Sequence, residues 1–145
     1  MYTRILIPTD GSQLATKGLD HGLALAKTLG LPVTVLCVTV PLSGLALQGV
    51  VQGQALESYD QGVKEELAAT ELFVRHRAAE AGVVAEFINE TAISAATGIL
   101  ETAQARNCGL IVISSHGRTG IVRMVLGSQT QDVLAKSTIP VLVVK

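Results

Sequence analysis

Aromatic residues are nearly missing from this chain of 145 residues: Tyr2, Tyr59, Phe73 and Phe87 are all it has, and tryptophan is absent. Single-stranded nucleic acid is gripped by stacking bases on exposed rings, so this scarcity argues against such a platform. Charge is also scarce. Lys, Arg, Asp and Glu make up 16% of the residues, against about 25% in an ordinary soluble domain. The net charge is −1, which argues against a cationic footprint for DNA or RNA. Intrinsic disorder needs high charge with little hydrophobicity, the reverse of this composition. Two cysteines, Cys37 in an apolar run and Cys108 beside another, fit reduced buried thiols better than a disulfide scaffold. Their spacing offers no cysteine metal site.

What the chain has in excess is hydrophobicity: 48% of its residues, with a mean hydropathy of +0.45. The longest stretch without a formal charge runs from Thr28 to Leu56. A spanning helix wants ~20 mainly apolar residues in a row. Pro32, Pro41, Gly30, Gly44, Gly49 and Gly53 interrupt this one, and Gln48, Gln52 and Gln54 add polar groups. Membrane insertion is therefore not expected. The opening Met1–Arg4 followed by Ile5-Leu-Ile-Pro8 does not read as a signal peptide, so the expected location is the cytoplasm.

Short apolar runs alternate with longer helical patterns. The runs are Ile5–Pro8, Val33–Val40, Val83–Ile88, Leu110–Ile113 and Val141–Val144. Most do not alternate with polar residues, as expected of parallel strands buried on both faces. Between them, Ala15, Leu19, Gly22, Ala26 and Leu29 repeat at helical spacing, with Gly30 placed to cap. A second helix is expected over Glu57–Ala81, with Val63, Leu67, Val74, Ala78 and Ala81 inward and Glu71–Arg75 as an i,i+4 pair. A third is expected over Ser94–Arg106, burying Ala96, Ile99, Leu100 and Ala103. A fourth is expected from near Ser128 to near Ser137. The pattern predicts a single α/β domain over residues 1–145, a doubly wound five-stranded parallel sheet with helices on both faces. A flavodoxin-like order or a half-Rossmann order of 3-2-1-4-5 would both suit five strands. The one long irregular segment, Pro41–Ala55, is apolar for a loop, and loops of that length are usually functional or disordered.

In such sheets ligands sit beyond the carboxyl ends of the strands, where the strand order reverses. For the order 3-2-1-4-5 that point lies between strands one and four. Pro8-Thr-Asp-Gly-Ser12 would there face Ser114-Ser-His-Gly-Arg-Thr-Gly120 and Gly127-Ser-Gln-Thr130. Glycine permits close backbone approach, and a helix starting at Ser128 offers amides and a dipole to an anion. A P-loop lysine is absent, nothing resembles a Ser-His-Asp arrangement, and the Ser-Gly-Gly-x-Asp-Ser loop of adenylating enzymes is missing.

Ser114-Ser-His-Gly117, then nine residues, then Gly127-Ser128 resembles the G-x2-G-x9-G-[S/T] nucleotide motif of the universal stress protein family. Pro8–Ser12 and Ser137–Val144 resemble that family's opening and closing strands, so the resemblance spans nearly the whole chain. It implies the adenine-nucleotide α-hydrolase-like sheet in 3-2-1-4-5 order. It further implies a homodimer paired through the Val141–Val144 strand, and a stress-response protein that binds ATP or a related adenine nucleotide, with or without magnesium. Such a protein acts through an unidentified protein partner and is not a dedicated enzyme. ATP hydrolysis would at most be slow, since no general base is evident.

The resemblance places Pro8, Thr9, Asp10, Val38, Ile113, Ser114, His116, Gly117, Gly127, Ser128, Gln129 and Thr130 at the nucleotide, with Asp10 also near a divalent ion. Each has a plainer reading beside it. Asp10 and Ser128 also suit helix N-caps. Val38 and Ile113 could be ordinary core residues, Thr130 could face solvent, and His116, like His21 and His76, could simply be exposed. Arg118 and Arg123 could reach a terminal phosphate or belong to a solvated loop. Ser114 departs from the motif's first glycine. If that position needs positive φ, serine there costs about 1–3 kcal/mol, and the alternative reading is a nucleotide-free dimeric interaction module of the same fold.

Overall fold

The computed structural model describes residues 1–42, 54–116 and 126–145. Within them, five strands alternate with four helices: β1 (Ile5–Pro8), α1 (Gln13–Leu29), β2 (Val33–Thr39), α2 (Gln54–Ala81), β3 (Ala85–Thr91), α3 (Ala95–Ala105), β4 (Leu110–Ser114), α4 (Ser128–Lys136) and β5 (Val141–Val144). All pairings are parallel, in the order β3-β2-β1-β4-β5. The fold is therefore the doubly wound α/β sheet in 3-2-1-4-5 order. None of the described helices is long and apolar enough to cross a membrane.

The apolar runs are continuous because successive strand residues point to opposite faces and both faces are covered. On one face Ile5, Ile7, Val33, Val35, Leu110 and Val112 pack under Leu19, Leu23 and Ala26 of α1 and Val74 and Ala78 of α2. On the other, Leu6, Leu36, Ile111 and Ile113 pack under Ala96, Ile99 and Ala103 of α3 and Val133 of α4. Arg77 of α2 bonds Asp20 of α1 through two nitrogens, tying the first two helices together. That contact holds its guanidinium above its ordinary pKa.

The helix boundaries follow from capping. Ser12 accepts from Ala15 N at 3.2 Å, and Ser94 accepts from Thr97 N at 3.1 Å. Gly30 ends α1 at φ 66, in the left-handed region that a side chain disfavours. The expected Glu71–Arg75 pair forms, with a closest approach of 2.6 Å. Several expectations shift. The second helix starts at Gln54 instead of Glu57 and so takes in the last two residues of the expected Pro41–Ala55 loop. Leu29 was expected on the buried face of α1 but is 45% exposed, and Leu23 takes that role. The third strand runs to Thr91 instead of Ile88, because β3 is an edge strand and its last residues can be polar. Of the irregular segment expected over Pro41–Ala55, residues 43–53 lie outside the described residues.

Candidate functional site

The strand ends open a crevice at the point where the order reverses. β1 stays paired with β2 through Pro8↔Leu36, and Thr9 N donates to Leu36 O at 2.8 Å. Its pairing with β4 stops at Leu6↔Ile111. Beyond Leu6 the two strands part, so the carboxyl ends of β1 and β4 form separate lips.

The first lip is a folded turn. Thr9 is buried, and its hydroxyl accepts from Gly11 N at 3.2 Å. Asp10 Oδ1 accepts from Ser12 N at 3.0 Å. Gly11 sits at φ 74, which only glycine adopts without strain. The N-cap of α1 is Ser12, so Asp10 does not cap the helix; its carboxylate shapes the turn before it. Pro8 is buried within β1.

The second lip is built from β4, Ser115, His116 and α4. Ser115 N donates to Val144 O at 2.8 Å, and Gly127 N donates to Ser115 O at 2.9 Å, which returns the chain to the sheet at the start of α4. Gly127 is the N-cap of α4, and no side chain caps this helix. Ser128 is the first helical residue and not the cap. Among the helices whose N-caps are described, α1 and α3 each carry a serine hydroxyl on their first turn; α4 carries none. Its first amides and dipole therefore offer partial positive charge to an anion.

Ser114 needs no unusual backbone. Among the described residues the one non-glycine with positive φ is Asn107, at 51°, so the strain foreseen for a serine in the motif does not arise. Ser114 is 8% exposed, and its carbonyl accepts from Thr130 Oγ1 at 3.2 Å. Thr130, at 4% exposure, does not face solvent; it ties α4 to the end of β4. Gln129 Oε1 accepts from Ala96 N at 2.9 Å, so this side chain fastens α4 to the first turn of α3. Nothing in the sequence signals that contact, which joins positions 33 residues apart.

His116 is half-buried, whereas His21 and His76 are exposed. Its Nδ1 lies 3.1 Å from Ser115 Oγ. Its Nε2 is buried without a hydrogen-bond partner, the one such side-chain atom among the described residues. Buried polar atoms in native proteins are nearly always paired, so this nitrogen marks a place where a polar group is wanted. Val38 and Ile113 belong to the core on the α3–α4 face, Ile113 buried and Val38 half-buried at its margin. Gly117, Arg118 and Arg123 lie outside the described residues. No group of three His, Cys, Asp or Glu among the described residues could hold a metal ion.

Comparison with known proteins agrees with this architecture. A sequence profile of the universal stress protein family matches residues 1–145. Universal stress protein YxiE of Bacillus subtilis is 33% identical over 149 aligned positions, covering 100% of both chains. The solved structure of the Methanocaldococcus jannaschii protein MJ0577 is similar with a TM-score of 0.81 at 28% identity, covering 100% of this chain and 96% of that one. Two further universal stress protein structures share the fold. One, in complex with cAMP, has a TM-score of 0.73 at 19% identity and covers 99% of this chain and 96% of its own. The other, from Archaeoglobus fulgidus with dAMP, has a TM-score of 0.65 at 22% identity and covers 99% and 98%.

Proposed function

The chain belongs to the universal stress protein family, and on that premise we propose that it binds an adenine nucleotide, ATP foremost, in the crevice between β1 and β4. The observation that carries this reading is α4. It starts on Gly127 without a side-chain cap, beside the lip where β1 and β4 part. A helix start of this kind is suited to phosphate. Two relatives of the same fold are complexes with cAMP and dAMP, which supports the adenine class.

In this reading the amides of Ser128, Gln129 and Thr130 face the phosphates, since the side chains of Gln129 and Thr130 are engaged within the protein. Gly127, with no side chain, leaves the backbone at the start of α4 open to a ligand. Thr9 and Val38 flank the base, Pro8, Ile113 and Ser114 form the floor, and His116 Nε2 turns to the ligand. Gly117 would complete the motif. Magnesium, if it accompanies the nucleotide, is carried chiefly by phosphate oxygens, with Asp10 as the nearby carboxylate. The chain acts as a single domain over residues 1–145, in the cytoplasm, as a homodimer paired through β5. It serves as a stress-response regulator read by a protein partner, and any hydrolysis of ATP is slow. The competing module without nucleotide drew its support from Ser114; with no positive φ at that position, its steric ground is gone.

Isothermal titration with ATP and magnesium tests the reading. Saturable heat and a raised Tm are expected, because a ligand that binds only the folded state stabilises it. No heat and no thermal shift at millimolar ATP would reject it.

A further inference from the structure

Two helices on opposite faces of the sheet each bury a glycine against it: Gly18 in α1 and Gly98 in α3. Glycine is a poor helix former, and buried ones inside helices call for a packing reason. An ideal Cβ on Gly18 would lie 2.9 Å from Ser114 N and 3.2 Å from Ser114 Oγ. On Gly98 it would lie 2.8 and 2.9 Å from the two methyls of Val38 and 3.2 Å from Ala92 Cβ. Neither position has room for a methyl group.

What these glycines touch gives them meaning. Ser114 ends β4, Val38 stands one residue from the end of β2, and Thr9 and Asp10 follow β1 between them. The two contacts thus press on the strand ends to either side of β1, one from each face: β4, the second lip of the crevice, and β2, whose Val38 flanks the base in the reading above. Neither neighbour can turn aside easily. At Gly18 it is a backbone nitrogen; at Gly98 it is a β-branched side chain, stiff at χ1. Gly22, one turn along α1, is a contrast. Its Cβ would meet Ile7 Cδ1 at 2.4 Å, Ile7 Cγ1 at 2.9 Å and Val112 Cβ at 3.5 Å, side chains of the core that the nucleotide reading does not place at the ligand, whereas it does place Ser114 and Val38 there.

We propose that Gly18 and Gly98 are positioning residues of the nucleotide crevice. By letting α1 lie on Ser114 and α3 on Val38, they set where the β4 lip and the base-flanking end of β2 stand relative to the β1 turn between them. The inference rests on the nucleotide reading above. A methyl at either place displaces a strand end by tenths of an ångström, since interiors are packed without slack. Hydrogen bonds from a displaced backbone lose alignment with the ligand.

The test is the affinity of the full chain for ATP with magnesium, by titration calorimetry, with Tm recorded for each protein. The parent chain is measured first, then Gly18→Ala, Gly98→Ala and Gly22→Ala. The first two variants are expected to raise Kd about tenfold, and Gly22→Ala to leave it within about twofold, even where its Tm falls as far. Parent affinity in folded Gly18→Ala and Gly98→Ala overturns the inference. So does a rise in Kd that follows Tm alike in all three, since that is loss of stability and not of position. If Gly18→Ala does not fold, Gly98→Ala decides by the same criterion. A parent chain that binds no ATP rejects the functional reading itself, before any variant is made, and the inference with it.

Discussion

Thr130 shows how much one hydroxyl settles. It is buried, it bonds the carbonyl of Ser114, and through that bond it sets α4 against the strand end. Removing a buried donor leaves its acceptor unpaired, a loss of about 1–3 kcal/mol. Thr130→Val should therefore lower stability by that amount in urea denaturation, while Thr130→Ser keeps most of it; equal stabilities would contradict the tie. Cys108 makes a different prediction. Burial pushes its thiol pKa up, with Arg4 and Arg106 pulling weakly the other way. The neutral thiol is thus favoured in the folded chain. Its contribution to stability is whole below the ordinary thiol pKa of about 8.5 and is lost as the pH rises above it. Alkylation of Cys108 at mildly alkaline pH should be far slower in the native protein than in urea, which peptide mapping of the labelled sites would read. Such residue roles were hard to see in advance. Thr130 reads as a surface residue until the partner 16 positions away is known. Asp10 and Ser12 are both good capping residues, and only geometry assigned the cap to Ser12.

At the scale of elements, the helices divide by how they begin. Ser94 and Ser12 each hold a first-turn amide, so alanine at either should cost about 1 kcal/mol. Ser128 caps nothing, and Ser128→Ala should change Tm little. Thermal unfolding of the three variants checks this; a loss at Ser128 as large as at Ser94 would mean that it does cap. The elements themselves were legible because the physics is local. Runs such as Leu110–Ile113 are apolar on both faces, and Gly30 closes a helical period. The misplacements fell where tertiary position overrides pattern. Leu29 lies at the last turn of α1, beyond the cover of the sheet. β3 carries Asn89, Glu90 and Thr91 because an edge strand has open space on one side. The link from Gln129 to Ala96 had no local signature, since a glutamine on an exposed helix face reads as a solvated one.

At the scale of the whole molecule, β3 and β5 are the edges of the sheet among the described residues. β5 turns the carbonyls of Pro140 and Val144 toward β4, so Val141 and Val143 present their amides to the open side. If this edge pairs two copies, Val143→Pro removes an outward donor while sparing the bonds to β4. Sedimentation should then show a dimer for the parent and a monomer for the variant. An unchanged species, dimeric in both, would place the contact elsewhere.

The seam where β1 parts from β4 also divides the chain in time. β1, β2 and β3 come from residues before 92, while β4, α4 and β5 come from residues 110 onward. A chain emerging from the ribosome has one lip of the crevice complete long before the other exists. Whatever the crevice holds can be gripped from both sides only once β4 and α4 have been added. A chain that stops short of Leu110 keeps Thr9 and Asp10 and has nothing to close against.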